Sequence, residues 1–439
     1  MKNSSKALIF DFSKKNFYSL TPLISTIDND ENLSDLDVIL AEELDVNVIK
    51  KELKKHDEII IGTSFRTAQL PEIYERMKII YSNLKTTDLE KITFIAGGSH
   101  PSGDPLSTLK IGFDAAFIGE AESSLSSFLD AFLQQGAIFS TPGIAYLDDK
   151  TDELKINPRP PAIVLDEYPF ISAKRGLYPP LEISRGCAFG CTFCQVPNLF
   201  HRQVRHRSPD VIIDAIKWML PRRLNDIRFI TPNSFGYMSS KSKYVNEEAI
   251  LYLLASIRSM DGIRDVFFGT FPGEVRPETV SEDFMNNIKP YLSNRRISVG
   301  LQSGSDKVLK EIRRGHSVKD GLEAINILLS TGFTPVVDII IGIPAASEED
   351  EHLTMELMNN FIEEDVVFRA HAFMPLPGTA LEKTEYSPVS SKIKKTLGRL
   401  SSQGKIEGSW SQQEIYAQNT WNTIKRIYDL PPIQREDIH

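Results

Sequence analysis

Ser184-Arg185-Gly186-Cys187-Ala188-Phe189-Gly190-Cys191-Thr192-Phe193-Cys194 holds every cysteine of a 439-residue chain. The residues from Leu181 read as a strand, so the thiols sit on a loop leaving a strand end, separated by three and then two residues. An odd number of cysteines cannot close a disulfide framework. Cysteines used as small hydrophobes would be scattered, whereas clustered ones point to a metal. Soft thiolates suit zinc and iron-sulfur clusters. Zinc would need a fourth ligand, for which His201 or His206 is available. A 4Fe-4S cluster on three thiolates instead keeps one iron open to another ligand.

Downstream of this loop, strand candidates at 181–186, 227–235, 265–273, 296–304, 335–344 and 366–376 alternate with amphipathic helix-length segments. Six strand-then-helix repeats predict a partial (β/α)6 barrel over residues 181–385. After Pro377 the chain turns polar and helical, and residues 386–439 read as a small helical C-terminal tail. Such a tail could close the open side of a six-stranded barrel, with Trp410 and Trp421 as candidate lining; Asn233 and Tyr237 are further pocket candidates. Upstream, residues 141–180 mix hairpin-like pieces with Pro-rich stretches and read as a linker. Residues 1–140 alternate short β-rich runs (7–12, 58–65, 92–101, 114–122) with helical segments. That alternation predicts a doubly wound, Rossmann-like α/β domain whose strands end at Gly97, Gly98 and Gly119, where such sheets admit ligands.

Composition narrows the function classes. Hydrophobic residues at 41% and charged residues at 25% are ordinary for a soluble globular protein, which excludes wholesale disorder. With 50 basic and 59 acidic side chains the net charge is -9, so nothing in the overall charge draws the chain to nucleic acid or anionic lipid. No apolar stretch approaches the ~20 residues of a transmembrane segment, and the start is too soon charged for a signal peptide, so the expected location is cytoplasmic.

The three-cysteine spacing, with Phe193 just before the last thiol, resembles the signature of the radical S-adenosylmethionine (SAM) superfamily. The resemblance implies a 4Fe-4S cluster on Cys187, Cys191 and Cys194, with SAM chelating the open iron and undergoing reductive cleavage to methionine and a 5'-deoxyadenosyl radical. It implies an electron donor such as a ferredoxin or flavodoxin. The signature itself nominates Phe193 for SAM, and four further segments that resemble the superfamily's SAM-binding elements nominate Glu274, Gln302, Ser303, Arg314, Gly342 and Pro375. Glu274 lies in Gly273-Glu274-Val275-Arg276-Pro277; Gln302 and Ser303 precede the Arg313-Arg314-Gly315-His316 stretch. For Ser303 and Ser305 helix capping is the competing reading. After Ile341-Gly342-Ile343-Pro344 the family usually continues with glycine, where this chain has Ala345.

Gly97-Gly98-Ser99-His100-Pro101 and the stretch ending Gly119-Glu120-Ala121-Glu122 resemble the cobalamin-binding-type domain that precedes many radical SAM cores. That resemblance nominates Ser64, Gly97, Gly98, Ser99, His100, Gly119 and Glu120 for cobalamin, and Arg205-His206-Arg207 fits the same subgroup. Domains that ligate cobalt from below carry Asp-x-His-x-x-Gly after the first strand; here the place reads Asp11-Phe12-Ser13-Lys14-Lys15-Asn16, without histidine. Cobalamin without a protein ligand to cobalt, a different cofactor, or a domain that binds nothing are the three possibilities, and the first is favoured. The resulting expectation is a cobalamin-dependent radical SAM enzyme that methylates or otherwise rebuilds an unactivated carbon of a small molecule, lipid or peptide. A methylthiotransferase-like RNA-modifying enzyme is the alternative, although those carry a second cluster on N-terminal cysteines and none remains here. A non-catalytic corrinoid- or SAM-binding protein is a third reading.

Overall fold

The computed structural model describes residues 5–148, 150–240 and 244–433, so the first four residues of the start read above lie outside it. Its N-terminal sheet has seven strands: β1 (Lys6–Asp11), β2 (Asp37–Ala41), β3 (Glu58–Ser64), β4 (Ile92–Gly97), β5 (Ala115–Phe117), β6 (Ile144–Leu147) and β7 (Leu154–Ile156). Their order is β2-β1-β3-β4-β5-β6-β7, parallel through β5 and antiparallel at the last two pairings. Alternation of the side chains explains the layering. Ala7 and Ile9 of β1 enter one apolar cluster with Leu70, Ile73 and Met77 of the helix Leu70–Asn83. Leu8 and Phe10 enter the other, with Leu20 and Ile24 of the helix Phe17–Asp28 and Phe128 of Glu122–Leu133. Each such side chain fully removed from water contributes roughly 1.5–3 kcal/mol, which is why both faces must be covered. Strand order reverses between β1 and β3, and that reversal opens a crevice at their carboxyl ends. The sheet runs on through Ile156, past residue 140, because the hairpin in the stretch read as a linker pairs onto β5.

The barrel begins at β8 (Leu181–Glu182). A small antiparallel pair, β9 (Ser184–Arg185) with β10 (Arg205–His206), brackets the cysteine loop. The wall continues with β11 (Asp226–Ile230), β12 (Asp265–Phe267), β13 (Arg296–Gln302), β14 (Thr334–Ile341), β15 (Val367–Ala372) and β16 (Ile406–Glu407). Hydrogen bonding forms two parallel sheets, β12-β11-β8 and β13-β14-β15-β16. Between them the segment at Val275 bridges to Val299, and Ser298 N–H donates to Gly269 O at 2.8 Å, which carries the curvature from one sheet to the next. Among the described residues no strand pairing joins β8 to β15 or β16, so the barrel is partial. The short β16, which the sequence did not suggest, extends its open edge.

The tail is more than a cap. Its last helix, Trp410–Asp429, is 20 residues and therefore about 30 Å long. At its start Gln413 Oε1 accepts from Ala372 N–H of β15 at 3.0 Å. At its end Ile427 is buried in the N-terminal core, Tyr428 Oη donates to Asp104 at 2.8 Å, and Lys110 Nζ donates to Tyr428 O at 3.0 Å. The helix thus straps the barrel to the N-terminal domain.

Candidate active site

One cavity of about 1160 Å³ lies between the two domains. Pockets for a single drug-sized ligand run ~300–1,000 Å³, so this space has room for more than one. Its N-terminal wall is the crevice described above, with Gly62, Ser64, Gly97, Gly98, Ser99, Gly119 and Glu120. The cysteine loop and the barrel mouth form the facing wall, with Glu274, Gln302, Arg314, Asp338 and His371; Gln413 and Tyr416 of the strap close one side.

The cysteine loop is held from both ends. Gly186, at φ +85°, would bring a Cβ to 2.2 Å from Gln203 O, so the tight return demands glycine. Further on, Thr192 N–H donates to Ile312 O at 3.0 Å and Cys194 N–H to Cys191 O at 3.1 Å. All three thiols face the cavity, and Cys191 is the most buried. Burial pushes the Cys194 thiol up to about 11 and raises Cys187, so these groups carry their protons at neutral pH until a metal displaces them. Among the described residues no three His, Cys, Asp or Glu side chains converge on a single ion. His206 is engaged elsewhere, with Nδ1 2.8 Å from Ser184 Oγ and its ring against Tyr237, while His201 is exposed. The zinc alternative thus lacks its fourth ligand. Three thiols on one loop without a fourth protein ligand fit a cluster whose irons are separate and one of which stays open.

Beside the loop, Gln302 sits at φ +82°, where the pairing of β13 with β14 slips. A bulge of this kind re-aims a side chain, here toward the cavity. Phe193 lines the cavity and packs on the core beneath. Glu274 is raised above the ordinary carboxyl range by burial and by Asp338, with Arg369 3.9 Å away opposing the shift.

A polar chain behind Glu274 was not picked out in the sequence. Asp338 of β14 is in register with Arg369 of β15, and Arg369 Nη1 lies 3.3 Å from Asp338 Oδ1. His371, two residues along β15 on the same face, brings Nε2 to 3.3 Å from that oxygen. Since Gln413 Oε1 already accepts from Ala372 N–H, its amide nitrogen faces His371 Nδ1 at 3.2 Å and donates. The imidazole proton is therefore assigned to Nε2, donated to Asp338. Two signals for this chain existed: an aspartate inside the apolar run Val336–Ile341, and the Arg-x-His alternation of β15.

Four nominated residues lie outside the lining. Ser303 is buried in a turn, its Oγ 3.3 Å from Thr354 Oγ1 and accepting from Ser305 N–H at 3.2 Å, while Ser305 caps the helix Asp306–Glu311. Gly342 makes a turn whose N–H donates to Glu351 at 3.2 Å, and Pro375 stands between the lining residues Met374 and Leu376. His100 is fully buried, stacked on Phe65, with its nitrogens 3.3 Å from Thr67 Oγ1 and 3.0 Å from Ser107 Oγ. Burial lowers its pKa to about 4, partly opposed by Asp104. It supports the glycine turn from behind. Neither strap tryptophan lines the cavity: Trp410 packs on the barrel core and Trp421 lies under Lys425. Tyr237 is buried, its Oη donating to Arg207 O at 2.8 Å, and Asn233 is not in the lining either.

On the N-terminal wall, Gly98 adopts φ +99° and ψ -170°, a region open essentially to glycine, and a Cβ there would meet Phe65 O at 2.8 Å. In the loop after β1, Ser13 occupies the expected histidine position and Asn16 the glycine position; Asn16 Nδ2 donates to Asp11 O at 2.6 Å and its Oδ1 accepts from Ser13 N–H at 2.8 Å. Glu120 is held by Arg205, with one bond of 2.9 Å, and by Ile163 N–H. Arg185, just ahead of the cysteines, pairs with Glu122 at 2.7 Å and doubly with Glu182 at 2.8 and 2.9 Å; Arg207 reaches Glu182 at 3.3 Å. The Gly-Glu-Ala-Glu and Arg-His-Arg stretches are thus two halves of one buried ionic joint between the domains.

The Radical SAM superfamily model matches residues 181–358. A Methanocaldococcus jannaschii protein with a provisional methylthiotransferase name is 25% identical over 343 residues, covering 76% of this chain and 72% of that protein. The tRNA-2-methylthio-N(6)-dimethylallyladenosine synthase of Myxococcus xanthus is 26% identical over 218 residues, 49% of this chain; the match spans only 44% of that synthase. Among solved structures, the radical SAM methyltransferase TsrM of Kitasatospora setae, with cobalamin and a 4Fe-4S cluster bound, superposes with TM-score 0.65 at 13% identity, covering 86% of this chain and 74% of that one. The cobalamin-dependent SAM radical enzyme OxsB, with aqua-cobalamin and SAM bound, gives 0.64 at 17% identity, covering 92% and 56%. Residues 181–358 thus carry a Radical SAM superfamily domain, and the fold of the chain, its N-terminal domain included, is similar to that of the cobalamin-bound TsrM and OxsB structures. Among the described residues no helix is long and apolar enough to cross a membrane.

Proposed function

We propose that this protein is a cobalamin-dependent radical SAM enzyme that methylates, or otherwise rebuilds, an unactivated carbon. The observation that carries the reading is the shared cavity: the three-thiol loop and the crevice of the doubly wound sheet open into the same space. When bound, the cluster with SAM would supply a 5'-deoxyadenosyl radical and the corrinoid a methyl group. Cys187, Cys191 and Cys194 would hold the cluster, and Glu274 and Gln302 would meet the polar groups of SAM from the barrel mouth. Ser64, Gly98 and Ser99 would let a corrinoid lie close to the backbone of the facing wall. The aromatic rings Phe189 and Phe193 beside the cysteines exclude water from the reacting region. The electron donor is expected to be a ferredoxin or flavodoxin, the substrate a small molecule, lipid or peptide, and the location cytoplasmic.

Sequence relatives named as methylthiotransferases favour a second reading, RNA methylthiolation. Against it, all three thiols belong to one loop and leave none for a second cluster. Anaerobic reconstitution with iron, sulfide and hydroxocobalamin separates the two. About four irons and one cobalt per chain support the first reading; four irons without cobalt reduce the N-terminal domain to a scaffold or substrate-binding module. With substrate, methylation yields 5'-deoxyadenosine and S-adenosylhomocysteine together, whereas deoxyadenosine alone argues for rearrangement or coupling.

A further inference from the structure

The Arg313-Arg314-Gly315-His316 stretch nominated Arg314 for SAM, but its geometry points to the cysteine loop. Arg314 aims Nη1 at the sulfur of Cys191, 3.6 Å away. The rest of its guanidinium is spent on one backbone oxygen: Nη2 donates to Gly300 O at 2.7 Å and Nε at 3.2 Å. His316 Nε2 lies 3.2 Å from the same oxygen. A Cβ at Gly300 would lie 2.5 Å from Arg314 Nη2, so any larger residue there pushes the guanidinium aside. The turn that presents the arginine is itself fixed, with Arg313 at φ +53° and Gly315 at φ +80° and with the cysteine loop bonded to Ile312 O. Arg276 adds a second cation behind it, its guanidinium 3.5 Å from the centre of the Phe189 ring and one nitrogen donating to Arg314 O.

A sulfur that accepts a hydrogen bond from a fixed cation holds additional negative charge more readily. Hydrogen bonds to the sulfurs and local charge are among the main settings of an iron-sulfur reduction potential. We infer that Arg314 is a positioning residue of the cluster, hydrogen-bonded to the Cys191 thiolate, and that it raises the potential at which the cluster accepts its electron. The inference rests on the cluster assignment proposed above, and goes beyond it by giving the Cys191 thiolate a hydrogen-bonding cation.

The test is a redox titration followed by electron paramagnetic resonance on the full-length protein, reconstituted with iron and sulfide, for the natural chain and for Arg314→Gln and Arg314→Lys. Iron content and SAM affinity are measured on the same samples. The expected result is a midpoint more negative in Arg314→Gln than in the natural chain, with Arg314→Lys between them and the iron content unchanged. Should Arg314→Gln not retain iron, Gly300→Ala displaces the same guanidinium without removing its charge and is expected to shift the midpoint the same way. An unchanged midpoint with a collapsed SAM affinity would overturn the inference and make Arg314 a carboxylate clamp. A natural chain that takes up no cluster at all would instead sink the underlying assignment, an outcome read from the iron content alone.

Discussion

The two walls of the cavity are made of different material. On the N-terminal side the strand ends present glycine and hydroxyl, at Gly62, Ser64, Gly97, Gly98 and Ser99, with the charges of Lys14, Arg66 and Glu120 on the loops around them. On the barrel side it is charged, with Glu274, Asp338, Arg276 and Arg314. A wall of glycines admits a large flat ligand close to the main chain and recognises it by shape and amide contacts. A wall of fixed charges suits a compact ligand carrying opposite charges, such as the ammonium and carboxylate of an amino acid. The contrast follows from what carries each wall: the sheet strands end in glycine turns, whereas a barrel strand carries Asp338, the segment bridging at Val275 carries Glu274 and Arg276, and a turn after the helix Asp306–Glu311 carries Arg314.

If the walls act separately, removing one should leave the other intact. The largest effect is expected for Cys191→Ala, which should lose the cluster iron altogether while retaining hydroxocobalamin; parallel loss of cobalt would break the comparison. Next comes the joint that fixes both walls. Arg185→Met leaves Glu122 buried without its ion pair and Glu182 with Arg207 alone, and should cost about 3–5 kcal/mol, read as a lower denaturant midpoint.

A third effect belongs to the N-terminal side alone. His100 is held neutral down to about pH 4, while in the unfolded chain it takes up a proton near pH 6.5. Because the unfolded chain binds the proton first, the contribution is intact above about pH 6.5 and is lost as pH falls to about 4. The loss amounts to roughly 3 kcal/mol. Thermal unfolding across that window should show it, and His100→Gln should flatten the dependence. Gly98→Ala is expected to cost about 1–3 kcal/mol in backbone strain and to reduce corrinoid retention without changing iron content. Trp421→Ala, whose ring meets a lysine rather than the cavity, should change the thermal midpoint by less than about 1 kcal/mol in equivalent stability.

What could be read from the sequence was what neighbouring residues encode. Apolar runs ending in glycine or proline mark the strands, and the cysteine spacing marks the loop, because each signal is complete within about ten residues. The ionic joint was not legible: Arg205 and Glu120 are 85 positions apart, and neither residue reveals its partner. Gln413 was hidden likewise, 42 positions from His371. The hairpin at β6 and β7 was read as a connector because short strands among prolines carry a weak pattern, and only its pairing onto β5 gives it a place. His100 shows the converse. A histidine beside two glycines suggests a ligand, and its role as a buried prop depends on Phe65, Thr67 and Ser107.

The strap helix has a consequence for how the protein comes into being. Residues 410–429 are synthesised after every other wall of the cavity, and they carry the contacts of Gln413 with β15 and of Ile427 with the N-terminal core. A nascent chain that has not yet produced them has the ionic joint but lacks the side of the cavity that Gln413 and Tyr416 close. The expected consequence is an interval during synthesis in which that side is open to a bulky cofactor, closed once the helix has docked. Protease accessibility of ribosome-stalled chains, released before and after this helix, would register that interval as a loss of cleavage between the domains once the helix has emerged.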